Sequence, residues 1–338
     1  MSLLSKDPND IEDNKAPREL VIICEHGVSD GLSLSTVVHE LLIALSNGDN
    51  DPMFSSSLNW PLTMEMAIRR TLSITGKIKA ISRLLYTALH SRITNRLPIA
   101  RVPLNTVNFP LADMPDHCHT EICYGKLSKE ETQSLIQKCR SEGVTVTSAV
   151  SSAIIYAISS LLNSKENQPT AIHTIIGADT RRRCVPPVPN HDLSYHVSAI
   201  LPFIVPTRDL LTSWQLARSF GNYVKKSIDT NQILAIGMLL GKIGRRKIGP
   251  PNLAELPTCG ISSWGILPFH EQYGRWELTS ANPLINMVRS AMPFIVIQTV
   301  NGVLTIMFTG ADPVLSLNIL ENLRDDTMQN IRQMMTNN

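Results

Sequence analysis

The segment from Leu20 to Leu32, LVIICEHGVSDGL, contains the residues with the clearest potential for chemistry. An apolar run leads directly into a short loop that carries His26 and Asp30, and Gly31 frees the backbone where a helix would begin. Imidazole exchanges protons near neutral pH and is the side chain most often used as a general acid or base. The segment therefore predicts a histidine displayed at the exit of a strand, where catalytic groups are commonly placed.

The same spacing has a simpler interpretation. A histidine and an aspartate four positions apart in a loop occur often by chance, and by itself the spacing of His26 and Asp30 favours a structural histidine. The loop alone leaves both roles open, so other segments of the chain must be considered with it.

The loop residues resemble a known enzyme motif. Glu25, His26, Asp30 and Gly31 fall on the H-H-x-x-x-D-G signature of the chloramphenicol acetyltransferase-like acyltransferases, with Glu25 in place of the first histidine. This superfamily includes the BAHD enzymes, alcohol acetyltransferases, phthiocerol diacyltransferases and the condensation domains of peptide synthetases. The BAHD branch needs only H-x-x-x-D, so the change at the first position is compatible with the resemblance.

Two later segments agree with this resemblance in order and spacing. Asp179-Thr-Arg181-Arg-Arg183, followed by Pro186-Pro187, is similar to the D-G-R-x-R…P-P stretch of the BAHD branch. Ile261-Ser-Ser-Trp264-Gly265 falls where that branch has D-F-G-W-G, and it keeps the Trp-Gly pair. The three segments together cover residues 20 to 310.

The resemblance implies direct acyl transfer. His26 would be the general base that takes a proton from an alcohol or amine, which then attacks the carbonyl of an acyl-coenzyme A or a carrier-bound thioester. Ser262, Ser263 and the backbone amide of Trp264 are candidates to face the oxyanion, and Gly265 belongs to the same part of the tunnel. The implied partners are a small-molecule acceptor and, as a candidate, an acyl carrier protein, and the implied chemistry needs no metal.

The resemblance gives other charged residues supporting roles. Asp30 is expected to pair with Arg181 in a bidentate ion pair that fixes the loop and Gly31 across the junction of two domains. Four basic residues are candidates for contacts with the phosphates of coenzyme A, although solvated positions explain them equally well: Arg182, Arg183, Lys242 and Arg245.

The chain departs from the superfamily at its start. Only 19 residues precede the first predicted strand, whereas relatives place several sheet-forming segments before the motif. We therefore expect an acyltransferase that is truncated at its N-terminus, with catalytic competence in question. The alternative is a non-catalytic member of the same fold that acts as a binding or interaction protein.

Composition narrows the class of protein. The 338 residues carry 31 Lys and Arg against 29 Asp and Glu, so bulk charge does not predict binding to nucleic acid or to an anionic membrane. The apolar stretches fall short of the ~20 residues that a membrane span needs. Polar and acidic residues 1–15 lack a secretory signal, and six scattered cysteines indicate reduced thiols, so a cytoplasmic location is expected.

Two smaller groups of residues have chemical potential of their own. Four soft ligands occur within seven positions, His117, Cys118, His119 and Cys123, but their spacing matches no common zinc pattern and favours a solvated loop. Four further residues are candidates to line a cleft: His191, His196, His270 and Tyr273.

The elements that must position these residues can be read from the hydrophobic pattern. Leu20–Cys24 is predicted as a central strand buried on both faces. Helices are predicted over Ser33–Leu45 and Met64–His90, and a third, capped by Thr147, continues to Leu162. A capping box at Ser128 and an Asn301-Gly302 hairpin are the clearest local signals.

These elements predict an α/β (α+β) fold of two chloramphenicol acetyltransferase-like domains, each a mixed β-sheet with flanking helices, with the active-site tunnel between them. Residues 1–17 are predicted to be a flexible leader, and residues 18–165 an N-terminal domain that is incomplete at its start. After a polar, proline-containing boundary, residues 171–338 form the predicted C-terminal domain.

Overall fold

A computed structural model gives the fold of most of the chain. It describes residues 2–4, 18–47, 60–105, 109–163, 169–190, 192–208, 210–243 and 256–336. Nine helices are assigned within these ranges: α1 (Gly31–Asn47), α2 (Met64–Thr71), α3 (Ile74–Thr94), α4 (Met114–His117), α5 (Lys129–Ser141), α6 (Val146–Asn163), α7 (Ser213–Asp229), α8 (Gln232–Ile243) and α9 (Leu317–Thr336).

The strands in the same ranges form one large sheet and two small ones. They are β1 (Ser2–Leu4), β2 (Glu19–Val21), β3 (His119–Lys126), β4 (Ala171–Asp179), β5 (Val197–Pro206), β6 (Cys259–Ile266), β7 (Gln272–Tyr273), β8 (Trp276–Glu277), β9 (Phe294–Val300) and β10 (Val303–Asp312). The six-stranded sheet has the order β3-β10-β9-β6-β4-β5, while β1 pairs with β2 and β7 with β8. In the large sheet β6 is parallel to β4 and β9, and the other neighbours are antiparallel. The predicted mixed α/β class is confirmed.

Local signals explain the ends of several elements. Ser128 and Glu131 form the predicted capping box, in which the Ser128 hydroxyl accepts from the Glu131 backbone N–H and the Glu131 carboxylate accepts from the Ser128 backbone N–H. Asn301 and Gly302 both have positive φ, as the two-residue turn between β9 and β10 requires. These turn and cap residues act on their nearest neighbours, so the sequence pattern predicts them well.

The main core lies between one face of the large sheet and the helices. Helix α6 is at its centre, with Ala153, Ile154 and Ile158 fully buried. Side chains from alternate positions of the strands pack in the same cluster, among them Ile261 on β6 and Ile295 on β9. Burial of this apolar surface orders β6, which carries several of the candidate site residues.

Three predicted elements differ from the structure. The run Leu20–Cys24 is not a central buried strand: β2 ends at Val21, is partly exposed and pairs only with β1 in the described part of the chain. Apolar composition predicted burial there, but strand position depends on the neighbours available for pairing.

Of the predicted flexible leader, residues 2–4 form β1, and residues 5–17 lie outside the described residues.

The other two differences concern helix ends. The predicted helix from Met64 to His90 is two helices, because the chain becomes extended at Leu72 and Ser73, and the Ser73 hydroxyl then caps α3. Helix α6 is capped by Thr145, whose hydroxyl accepts from the Ser148 backbone N–H at 3.1 Å. Thr147, predicted as this cap, instead meets Ser263 on β6 through its hydroxyl.

The predicted domain boundary falls between α6 and β4, yet the large sheet takes β3 from before that boundary and five strands from after it. The division into two domains stays a prediction.

No single helix in the described ranges combines the length and apolarity needed to cross a membrane, although the bent pair Lys129–Ser141 and Val146–Leu162 meets both criteria when taken together.

Candidate functional site

His26 lies in a turn between β2 and α1, where the Val28 backbone N–H donates to the Glu25 carbonyl at 3.1 Å. The residue is exposed. Its Nδ1 lies 3.0 Å from the Ser29 carbonyl oxygen, and because a carbonyl only accepts, Nδ1 carries the proton and donates. In the neutral ring, Nε2 then keeps its lone pair and can accept a proton.

An aromatic ring holds the imidazole from one side. The ring centroids of His26 and Tyr195 are 5.3 Å apart at an interplanar angle of 87°, which is an edge-to-face contact. Burial raises the pKa of the Tyr195 hydroxyl, and the nearby Asp30 carboxylate adds to this. The Tyr195 hydroxyl therefore stays protonated, and its neutral ring packs against the imidazole.

Asp30 is turned into the protein. Its carboxylate Oδ2 accepts from Arg181 Nη1 at 2.8 Å and from the His196 backbone N–H at 2.7 Å. The other oxygen, Oδ1, accepts from the Ser33 backbone N–H at 3.0 Å, close to the start of α1. Both carboxylate oxygens are thus engaged by groups other than His26, and Asp30 holds the loop rather than the imidazole.

The ion pair expected between Asp30 and Arg181 is present, with a different geometry from the expected bidentate one. Only Nη1 meets Asp30, and this nitrogen also donates to Asp179 Oδ1 at 3.0 Å. Nη2 donates to the Ser194 carbonyl at 2.7 Å, and Arg181 is fully buried. The guanidinium therefore ties the loop of His26 to the end of β4 and to the segment before β5.

His196 supports the same junction from a second direction. Its ring is fully buried, and Nε2–H donates to the Leu62 carbonyl at 3.1 Å. Burial lowers the pKa of His196, and the positive charge of Arg181 lowers it further. The hydrogen bond to Leu62 and the carboxylates of Asp30 and Asp179 act in the opposite direction and are smaller than the effect of burial. The imidazole therefore stays neutral while its backbone N–H binds Asp30.

The third predicted segment packs directly on the loop. A Cβ added to Gly31 would lie 2.3 Å from the Trp264 indole, so only glycine permits this close approach. Trp264 lies at the irregularity in β6 between Ser263 and Gly265, and Gly265 has φ +73°. At Gly27, in contrast, an added Cβ would have open space around it.

The other oxyanion candidates lie on opposite faces of β6. The Ser263 hydroxyl is 2.9 Å from that of Thr147 on α6, so Ser263 faces the helical layer. The side chain of Ser262 adjoins Gly177 on β4, where an added Cβ would lie 3.2 Å from Ser262 Oγ. Ser262 therefore points away from the face that Ser263 occupies, whereas Trp264 stands at the register shift of β6 and packs against Gly31.

The remaining predicted contacts are less constrained. Arg182 and Arg183 lie in the same short 3-10 turn after β4 as Arg181, but they are exposed, whereas Arg181 is buried. Lys242 belongs to α8, and its side chain lies outside what the structure describes, as do Arg245 and His191. Contact of these residues with phosphates stays a prediction.

Sequence reasoning did not find two of the groups that build this site. The Tyr195 ring and the Ser194 carbonyl reach the loop from more than 160 positions along the chain, and no short motif marks them. Two residues of the predicted cleft, His270 and Tyr273, contact His39 of α1, with Tyr273 Oη 2.6 Å from His39 Nδ1, and their place in a cleft stays a prediction. No group of three or more His, Cys, Asp or Glu side chains in the described ranges is placed to hold a metal ion.

Residues 119–309, more than half of the chain, match the family described as "Phthiocerol/phthiodiolone dimycocerosyl transferase C-terminus". The chain belongs to this family. This match and the structural similarities described below confirm its predicted membership of the chloramphenicol acetyltransferase-like superfamily. A comparison with the curated proteins found no significant match.

Several solved structures share the fold. The epimerization domain of tyrocidine synthetase B aligns with a TM-score of 0.62 at 12% identity, over 92% of this chain and 68% of that one. Polyketide synthase associated protein 5 from Mycobacterium tuberculosis aligns with a TM-score of 0.61 at 16% identity, over 90% of this chain and 71% of that one. Trichothecene 15-O-acetyltransferase from Fusarium sporotrichioides aligns with a TM-score of 0.64 at 12% identity, over 90% of this chain and 64% of that one. The chain thus spans about two thirds of the length of these structures.

At such identities the similarities establish the fold. Combined with the family match, they support an acyltransferase or condensation-type function for this chain.

Proposed function

We propose that this chain transfers an acyl group directly from an acyl thioester to an alcohol or amine, with His26 as the general base. One observation carries the proposal: Nδ1 of the exposed His26 donates to the Ser29 carbonyl, which leaves Nε2 as the basic nitrogen. The donor would be acyl-coenzyme A or an acyl group on a carrier protein.

The reaction follows from this tautomer. Nε2 takes the proton from the acceptor O–H or N–H while the acceptor's lone pair forms a bond to the thioester carbonyl carbon. The resulting oxyanion is stabilised by N–H or O–H donors, for which Ser262, Ser263 and the backbone amide of Trp264 are the candidates. The C–S bond then breaks, and the leaving thiolate takes the proton from His26 Nε2. No nucleophilic serine or cysteine takes part.

The surrounding residues would act by position. Tyr195 limits rotation of the imidazole, and the Asp30–Arg181 pair fixes the loop that carries it. A base held in one orientation gives proton transfer a large entropic advantage over a freely rotating one. Arg182 and Arg183 are exposed and are proposed contacts for the phosphates of coenzyme A.

The test is thiol release from a panel of acyl-coenzyme A thioesters, with mixed alcohols and amines as acceptors. Wild-type protein is compared with His26→Ala and with His117→Ala, which removes another exposed histidine outside the site. We expect acceptor-dependent thiol release that His26→Ala lowers by about 10²- to 10⁴-fold and that His117→Ala leaves unchanged.

Two results would count against the proposal. Release that survives in a folded His26→Ala protein would exclude His26 as the base. Absence of release from wild-type protein, together with thermal stabilisation by the same thioesters, would favour the binding-protein function.

A further inference from the structure

Helix α3 is apolar on two opposite sides. On one side Ala80 and Leu84 are buried against α8, where they pack with Ala235. On the other, six large apolar side chains are 57% to 76% exposed: Ile74, Ile78, Leu85, Tyr86, Leu89 and Ile93. We call these six residues the α3 stripe. Soluble monomers rarely leave so many large apolar side chains exposed on one element.

The α3 stripe is continuous. Ile74, Ile78, Leu85 and Leu89 follow one another at intervals of four, seven and four residues. At about 3.6 residues per turn, these intervals keep the four side chains on one side of the helix, and the other two widen it. The 21 residues of α3 span about 31 Å, so the stripe is long enough to act as a docking surface.

All the charged residues of α3 are positive. Helix α3 contains four Lys and Arg residues and no Asp or Glu. Lys79 lies seven residues before Tyr86 and Arg83 three residues before it, so both are beside the stripe, and both are exposed. Residues 64–96 carry seven Lys and Arg and one Glu, although the whole chain is close to neutral. The near-zero net charge of the protein hides this local excess.

We propose that the α3 stripe docks on an anionic lipid surface. Its apolar side chains would enter the boundary between headgroups and acyl chains, while Lys79, Arg83 and Arg92 would meet the negative headgroups. A second copy of the chain fits less well, since two α3 helices brought together would bring their positive charges together without an acidic residue on either helix. This proposal does not depend on acyl transfer.

The experiment is co-sedimentation of the full chain with vesicles of phosphatidylcholine alone or of phosphatidylcholine mixed with phosphatidylserine. We expect about tenfold or stronger preference for the anionic vesicles, because each basic residue near the surface adds to binding. Raising the salt concentration should weaken this binding, because the attraction between exposed charges is screened.

Two double variants test the two parts of the surface. Leu85→Ser with Leu89→Ser removes apolar contact, and Lys79→Glu with Arg83→Glu reverses the charge; each should lower binding about tenfold or more. The matched controls are Leu284→Ser, at another highly exposed leucine, and Lys126→Glu with Arg140→Glu, two exposed basic residues elsewhere. Both controls should bind like wild type, and thermal unfolding should show that every variant is folded.

Three outcomes would overturn the proposal. The first is no binding of wild-type protein to anionic vesicles, and the second is equal loss of binding in the control variants. The third is a concentration-dependent dimer in sedimentation velocity that Leu85→Ser with Leu89→Ser abolishes, which would make the stripe an interface between copies.

Discussion

His26 and Asp30 lie four positions apart in one loop, yet their environments are opposite. The His26 side chain is exposed, and its one described hydrogen bond is to the Ser29 carbonyl within the same turn. Asp30 is 2% exposed and binds groups from α1, from the end of β4 and from the segment before β5. The motif therefore joins an exposed residue, the proposed base, to a buried structural one, and its spacing reflects two separate requirements.

The largest expected effect is on folding, at the buried ion pair. Arg181→Ala should lower the free energy of unfolding by about 3–5 kcal/mol, because it leaves the Asp30 carboxylate buried without a cationic partner. Asp30→Ala should cost less, because Arg181 keeps its ion pair with Asp179. Urea denaturation measures this loss. The control is Lys225→Ala, which breaks an exposed pair with Asp229 and should leave stability nearly unchanged. Equal effects at the two pairs would remove the contrast between the buried loop and the surface.

The complementary change is at the exposed end of the loop. His26→Ala should alter the free energy of unfolding by no more than about 0.5 kcal/mol, since the side chain is exposed and its hydrogen bond is local. The same variant should lose thiol release in the assay above. A large loss of stability in urea denaturation would show that His26 shares the structural role of Asp30.

Two glycines sharpen the comparison between packed and open parts of the loop. Gly31→Ala should cost about 1–3 kcal/mol, because the new methyl group overlaps the Trp264 indole. Gly27→Ala should have little effect on stability, since nothing lies within 4 Å of the new Cβ. Trp264→Ala combined with Gly31→Ala should recover part of the loss, and a strictly additive double variant would show that the two residues do not meet.

The smallest effect is a pH dependence from His196. Burial lowers its pKa in the folded protein, so as the pH falls below about 6.5, the ordinary pKa of histidine, the unfolded chain binds a proton that the folded protein does not. Stability should therefore fall as the pH falls below this point, and His196→Gln should reduce the slope. His39 and His173 also have lowered pKa values, so part of the slope would remain in this variant. A variant with an unchanged slope in urea denaturation at several pH values would exclude His196 as a source.

Prediction from sequence succeeded where the physics is local. The Ser128 capping box and the Asn301-Gly302 turn depend on residues within a few positions, and both are present. The placement of β2 depends on which strand is available to pair, and apolar composition predicted it wrongly. A cap at Thr147 also failed, because Thr145 offers the same hydroxyl two positions earlier.

The same division holds within the site. Asp30 and Arg181 were placed by motif resemblance, and the structure pairs them over 151 positions. The contacts of Tyr195 with His26 and of Ser194 with Ser33 carry no sequence signature, because an aromatic edge and a backbone carbonyl can be supplied by almost any segment that folds nearby. Such contacts follow from tertiary packing and are visible only in the folded chain.

The open space at Gly27 offers a place to redesign the protein. Gly27 and the exposed Val28 directly follow His26 in the chain, while the anchoring of the loop depends on Asp30 and Gly31. Side chains introduced at positions 27 and 28 would sit next to the imidazole without entering the core. A small library at these two positions can therefore vary the surroundings of the proposed base while the scaffold remains intact.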